Sequence, residues 1–157
     1  MTAESIEDFR QRLIRAFPPQ PYYGLVSTHD ECEDGIYLRR ELPGKRWDEL
    51  SPKVLFHGSI ALPLLESDAL VAFLPAWLLS SMQTFSPDNI VLEFTLYFLS
   101  PGSPDEGWDE NRIAETLAAF NAAQRTVIGD LLRSILDCEA MEFWHPFAEQ
   151  GLKSWSA

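Results

Sequence analysis

Apolar residues recur along this chain with helical spacing far more often than with strand alternation. Ile6, Phe9, Leu13, Ala16 and Phe17 follow three- and four-residue steps, with Glu7, Arg10, Gln11, Arg12 and Arg15 between them. That pattern predicts a first helix, stopped by Pro18, Pro19 and Pro21. Thr28 and Glu31 have capping-box spacing, so a second helix is expected over 29–40, weakened at Gly35 and ended by Pro43-Gly44. After a short connection at 47–50, Ser51-Pro52 reads as the N-cap and first position of a brief helix over 52–56, broken by Gly58. Asp68 is the expected cap of the apolar run that follows, and Pro75 is expected to divide or kink it. In the second piece Trp77, Leu78, Ser81 and Met82 carry the packing.

Residues 90–98 fit both periods. Ile90, Leu92, Phe94, Leu96 and Phe98 alternate as in a strand, whereas Ile90, Val91, Phe94, Tyr97 and Phe98 form a helical stripe behind a Ser86-Pro87-Asp88 start. A strand needs a paired neighbour, and only 35–38 or 53–56 offers a weak one. We therefore read a helix. Pro101, Gly102, Pro104 and Gly107 make 100–108 a loop, and 109–120 a short helix with Ile113, Leu117 and Phe120 on one face. Asn121 and Gln124 form a capping box at the start of a longer helix, whose inner face is Val127, Ile128, Leu131, Leu132, Ile135 and Leu136. Residues 140–147 add a terminal helical turn or two, ended by Pro146. No repeat of 20–50 residues is visible. The expected fold is mainly α, a single compact helical domain over 1–157, with α+β and a short strand at 90–98 as the alternative.

Composition narrows the class. A chain of 157 residues that is 46% hydrophobic suits one domain burying roughly 70% of its unfolded surface, and is too apolar for a disordered acidic tail. Two cysteines are too few for a disulfide scaffold. The first ten residues contain Glu4, Glu7, Asp8 and Arg10, so no secretory leader is expected. The uncharged stretch 69–87 has an apolar part of only eleven residues, interrupted by Pro75, against about 20 for a membrane span. The expectation is a cytoplasmic protein without membrane contact, in which Cys32 and Cys138 remain free thiols. Trp77, Trp144 and Trp155 exceed what one core is expected to cover, which makes a homo-oligomer a further expectation.

Charge is unevenly distributed. The net charge is −12, and residues 1–53 and 112–157 contribute −2 each. Residues 54–111 hold eight acids and no Lys or Arg, for −8. Four of those acids, Asp105, Glu106, Asp109 and Glu110, flank Trp108 in the loop and entry to the next helix. These five residues are candidate partner-binding residues for a basic protein, with electrostatics setting the on-rate and Trp108 anchoring. The alternative is a solubilising loop whose Trp108 folds back on the core. A pI near 4.5 argues against nucleic-acid backbones.

Candidate chemistry is sparse. On a helix beginning at His29, His29 and Cys32 lie three apart and Glu33 four from His29, so the three side chains share a face with donors that suit zinc. A closed site needs a fourth ligand, from His57 or His145. The competing reading is an acidic first helical turn with Cys32 as a small core residue. Carboxylates flank Cys32 and Cys138 in the sequence where a nucleophilic thiolate needs cationic neighbours, which disfavours a cysteine nucleophile. No serine-hydrolase elbow or phosphate-binding glycine motif is present, and no cofactor is expected. Arg39, Arg40, Lys45 and Arg46 flank the Pro-Gly turn before Trp47. They form either a small anion contact or helix-end cations over a packed indole.

Leu42-Pro43-Gly44-Lys45-Arg46-Trp47-Asp48-Glu49-Leu50, then Phe73-Leu74-Pro75-Ala76-Trp77-Leu78, resembles a small, mostly bacterial family of unknown function. That family is marked by Gly-Lys-x-Trp-x-x-Leu followed by Leu-Pro-Ala-aromatic-Leu. Phe120-Asn121-Ala122-Ala123-Gln124-Arg125 is similar to its entry into a long C-terminal helix. The resemblance implies a mainly helical, cytoplasmic bacterial protein and supplies no activity. The leading functional expectation is a non-enzymatic protein-interaction module, and the alternative is a small metal-dependent enzyme centred on His29 and Cys32.

Overall fold

The computed structural model describes residues 2–101 and 110–156. Among these residues the regular structure is entirely helical, which settles 90–98 as helix. Thr2 caps α1 (Ala3–Ala16), its hydroxyl accepting from the Ser5 amide at 3.1 Å, and Phe9 and Leu13 turn the amphipathic stripe into the core. α2 (Glu33–Glu41) begins four residues later than its spacing predicts, with Cys32 rather than Thr28 as N-cap. The Cys32 Sγ accepts from the Gly35 amide at 3.4 Å. The chain at His29 folds back over the helix start, so that a Cβ on Gly35 would lie 2.1 Å from the His29 carbonyl oxygen. Gly35 therefore permits a close backbone approach there.

Trp47–Glu49 forms a single 3-10 turn, and Ser51 caps α3 (Pro52–Gly58) with Pro52 at its first turn, as the sequence predicts. A second 3-10 segment, Ser59–Leu64, leads to α4 (Ser67–Gln83). α4 is capped at Glu66 rather than Asp68, and it runs through Pro75 without dividing. A proline inside a helix costs about 3 kcal/mol. Burial of Phe73, Leu74, Pro75, Ala76, Trp77 and Leu78 on successive turns outweighs that cost. Apolar on nearly all sides, α4 packs against α1, α3, α5 and α7.

α5 (Ile90–Leu99) starts at Asn89, two residues after Pro87, with its Oδ1 accepting from the Val91 amide at 3.0 Å. Its buried set is Val91, Leu92, Thr95, Leu96, Phe98 and Leu99, a three-to-four-residue period; of the expected helical stripe Val91 and Phe98 are buried, Phe94 and Tyr97 are half-buried and Ile90 is exposed. α6 (Glu110–Ala118) leads to α7 (Ala122–Leu136), where the Asn121–Gln124 capping box forms with both bonds at 2.9 Å. Val127, Ile128, Leu131, Leu132 and Ile135 are buried as predicted, and Leu136 is half-buried.

The C-terminal end departs from expectation. A 3-10 segment, Glu139–Trp144, precedes α8 (His145–Trp155), in which Pro146 opens the helix instead of ending it. At the first turn the proline's missing N–H has no intrahelical partner to lose. α8 packs along α7 and touches α5, with Gly151 set against the Leu99 carbonyl and the Leu132 side chain. One apolar cluster extends from Phe9 to Trp155. Trp77, Trp144 and Trp155 lie inside it at 0%, 4% and 2% exposure, so this core does cover them, and they give no reason for an oligomer.

Candidate functional site

The residues singled out for metal binding do not share a helix face. His29 precedes α2, its amide donating to Ser27 Oγ at 3.1 Å, and Cys32 and Glu33 straddle the cap. All three are exposed. The spacing argument depended on a helix through His29, and the fold-back over Gly35 removes that helix. The possible fourth ligands are elsewhere. His145 Nε2 sits 3.0 Å from the Ile135 carbonyl and 3.1 Å from that of Cys138, and His57 packs edge-on against Tyr37 and Phe56. Among the described residues no group of three or more His, Cys, Asp or Glu side chains converges as a metal site would. Of the candidate partner-binding residues, Asp105, Glu106, Trp108 and Asp109 lie outside the described residues. Glu110 is exposed on the first turn of α6.

The basic residues near Trp47 take the structural role. The Trp47 indole is 3% exposed and donates to the Phe17 carbonyl at 2.8 Å. Arg39 and Arg40 occupy the last turn of α2, where the helix dipole favours cations. Arg46 Nε donates to Asp48 Oδ1 at 2.9 Å and holds that carboxyl below the ordinary carboxylate range, partial burial acting in the opposite direction. Nearby, burial pushes the Tyr22 hydroxyl up, helped by the negative charges of Asp68 and Glu66. Tyr22 donates to the Leu25 carbonyl at 2.9 Å.

Two surface features remain. The first is an open groove of about 650 Å³ where α1 passes the ends of α4 and α7. Glu4, Asp8 and Asp137 stand beside Met82 and Phe85, and Arg12 crosses the groove, ion-paired to both Asp8 and Asp130. Carboxylates beside apolar side chains complement a Lys or Arg, whose stem is apolar and whose head is cationic. The second feature is a row of rings across α2 and α3. The Arg40 guanidinium lies 5.3 Å from the centre of the Tyr37 ring, Tyr37 lies 5.8 Å from His57, and His57 lies 5.3 Å from Phe56. Phe56 is 50% exposed, and Ile36 on α2 and Ile60 in the following 3-10 segment are 46% and 53% exposed. Spacing within one element does not reveal this row, because its members come from two. The available signal was Ile36, an apolar residue out of phase with the buried stripe of α2.

No protein-family profile, curated protein or solved structure matches this chain. No helix among the described residues is long and apolar enough to cross a membrane.

Proposed function

We propose that this chain is a non-enzymatic interaction module that binds a basic protein. The observation that carries the reading is the uncompensated charge of 54–111, eight carboxylates without a Lys or Arg. Of those whose placement is described, Asp68, Asp88 and Glu110 are exposed, and Glu66 and Glu93 are half-buried. The groove bearing Glu4, Asp8 and Asp137 extends the same chemistry to α1 and α7. A basic partner gains in association rate from such a field and in specificity from the apolar positions within it.

The groups that would otherwise suggest catalysis are engaged in the fold. Cys32 Sγ caps α2, His145 bridges the end of α7, and His57 completes the ring row. The resemblance to a helical family without assigned activity is compatible with the same reading.

The test is kinetic. Reversing Asp105, Glu106, Asp109 and Glu110 to Lys should slow association with a basic polypeptide that co-purifies with the protein, by about 10-fold or more at low salt, and flatten its salt dependence. An on-rate equal to that of the unaltered protein refutes the assignment of partner binding to these residues.

A further inference from the structure

We propose that the outer face of α2 is a self-complementary surface on which a second copy of this chain docks antiparallel. On α2 the buried stripe is Gly35 and Leu38, continued by the capping residue Leu42. At 100° per residue, Glu33 and Arg40 point directly away from that stripe, with Ile36 and Tyr37 between them on either side of the same line. This order, acid, apolar pair, base, matches itself when one helix is turned end for end. Residues 33 and 40 are equidistant from the midpoint of 36 and 37, so a two-fold axis through that midpoint sets Glu33 of each copy level with Arg40 of the other. The same axis brings Ile36 against Ile36 and Tyr37 against Tyr37. An isologous contact requires this property of a surface, and homodimers with two-fold symmetry are the commonest soluble oligomers.

The apolar content of the face extends beyond α2. Tyr37 continues into His57 and Phe56 through ring contacts, and Ile60 follows on a segment that packs against both α2 and α3. Ile36, Phe56 and Ile60 are about half exposed, so each copy presents three large apolar side chains that docking would cover. A heterologous partner would need its own matching order of charges, whereas a second copy already has it. Three half-exposed apolar side chains per copy set the dimer in the weak, concentration-dependent range. The surface contains none of the carboxylates of 54–111, so either proposal can fail alone.

Sedimentation velocity on the full chain, in a series reaching about 1 mM, tests the surface. The expected result is a reversible monomer–dimer equilibrium. Ile36→Glu should abolish it, and Glu33→Arg or Arg40→Glu alone should weaken it about tenfold, because two-fold symmetry makes each change count twice. The double variant Glu33→Arg/Arg40→Glu should recover association to within about twofold of the unaltered protein, since it restores opposite charges across the axis. All these positions are exposed, and circular dichroism verifies that each variant is folded. A monomer at every concentration overturns the proposal. So does a dimer indifferent to Ile36→Glu, or a double variant as weak as its parents.

Discussion

Four buried tryptophans share one device. The indole N–H of Trp47 donates to the Phe17 carbonyl, Trp77 to Leu55, Trp144 to Pro87 and Trp155 to Leu99. Each ring brings large apolar area to the core and donates to a backbone carbonyl distant in sequence. Trp47→Phe should therefore lower unfolding free energy by about 1–3 kcal/mol, read by urea denaturation, because it removes the donor and leaves space beside Phe17. Cys32 offers the opposite opportunity. A serine hydroxyl is a stronger cap than a thiol, so Cys32→Ser should raise stability by a few tenths of a kcal/mol to about 1 kcal/mol. Excess zinc should leave the melting temperature unchanged, and a rise would revive the metal reading of His29 and Cys32. Asp48 gives a pH signature. Its carboxyl is depressed in the folded state by Arg46, so the pair stabilises the fold above the unfolded carboxylate value near about 4, and that stabilisation is lost as pH falls through the lower folded value. The stability difference between the protein and Asp48→Asn should shrink in acid, and a difference constant from neutral to acid would contradict the pairing.

The caps at Ser51 and Asn121 were legible from sequence, whereas the caps expected at Thr28 and Asp68 did not form and those at Thr2 and Asn89 went unread. Ser51, and Asn121 with Gln124, act on amides three residues away, so their spacing alone announces them. Cys32 is not a residue type that signals a cap, and it serves as one because the chain at His29 folds back on Gly35. The helix rules applied to Pro75 and Pro146 weigh only local cost. Pro75 is held by a helix buried on nearly every side, and Pro146 sits where the helix has no bond to lose. The metal candidate failed with its helix, whereas the ring row from Arg40 to Phe56 lies across two elements and escapes any single period. Close packing of α8 can be tested directly. A methyl at Gly151 would approach the Leu99 carbonyl to 2.8 Å and Leu132 to 3.0 Å. Gly151→Ala should thus cost about 1–3 kcal/mol despite the better helix propensity of alanine, and a stabilised variant would mean that α8 can shift freely.

At the scale of the whole molecule, core and charge are separate designs. The core closes over all four described tryptophans and extends from α1 to α8 as one cluster, so the fold itself requires no second chain. Residues 54–111 hold eight of the 24 carboxylates and none of the twelve Lys and Arg, so two-thirds of the net charge falls there, and like charges gathered in one segment favour the approach of a cation or a basic partner. On the function proposed above, a basic partner would offset this imbalance. Native mass spectrometry on the protein isolated gently from its own cells tests that claim most directly. The account predicts a stoichiometric second polypeptide of basic composition, released as ionic strength rises. A stoichiometric metal ion or small molecule with no polypeptide bound would contradict it and return attention to an enzymatic role.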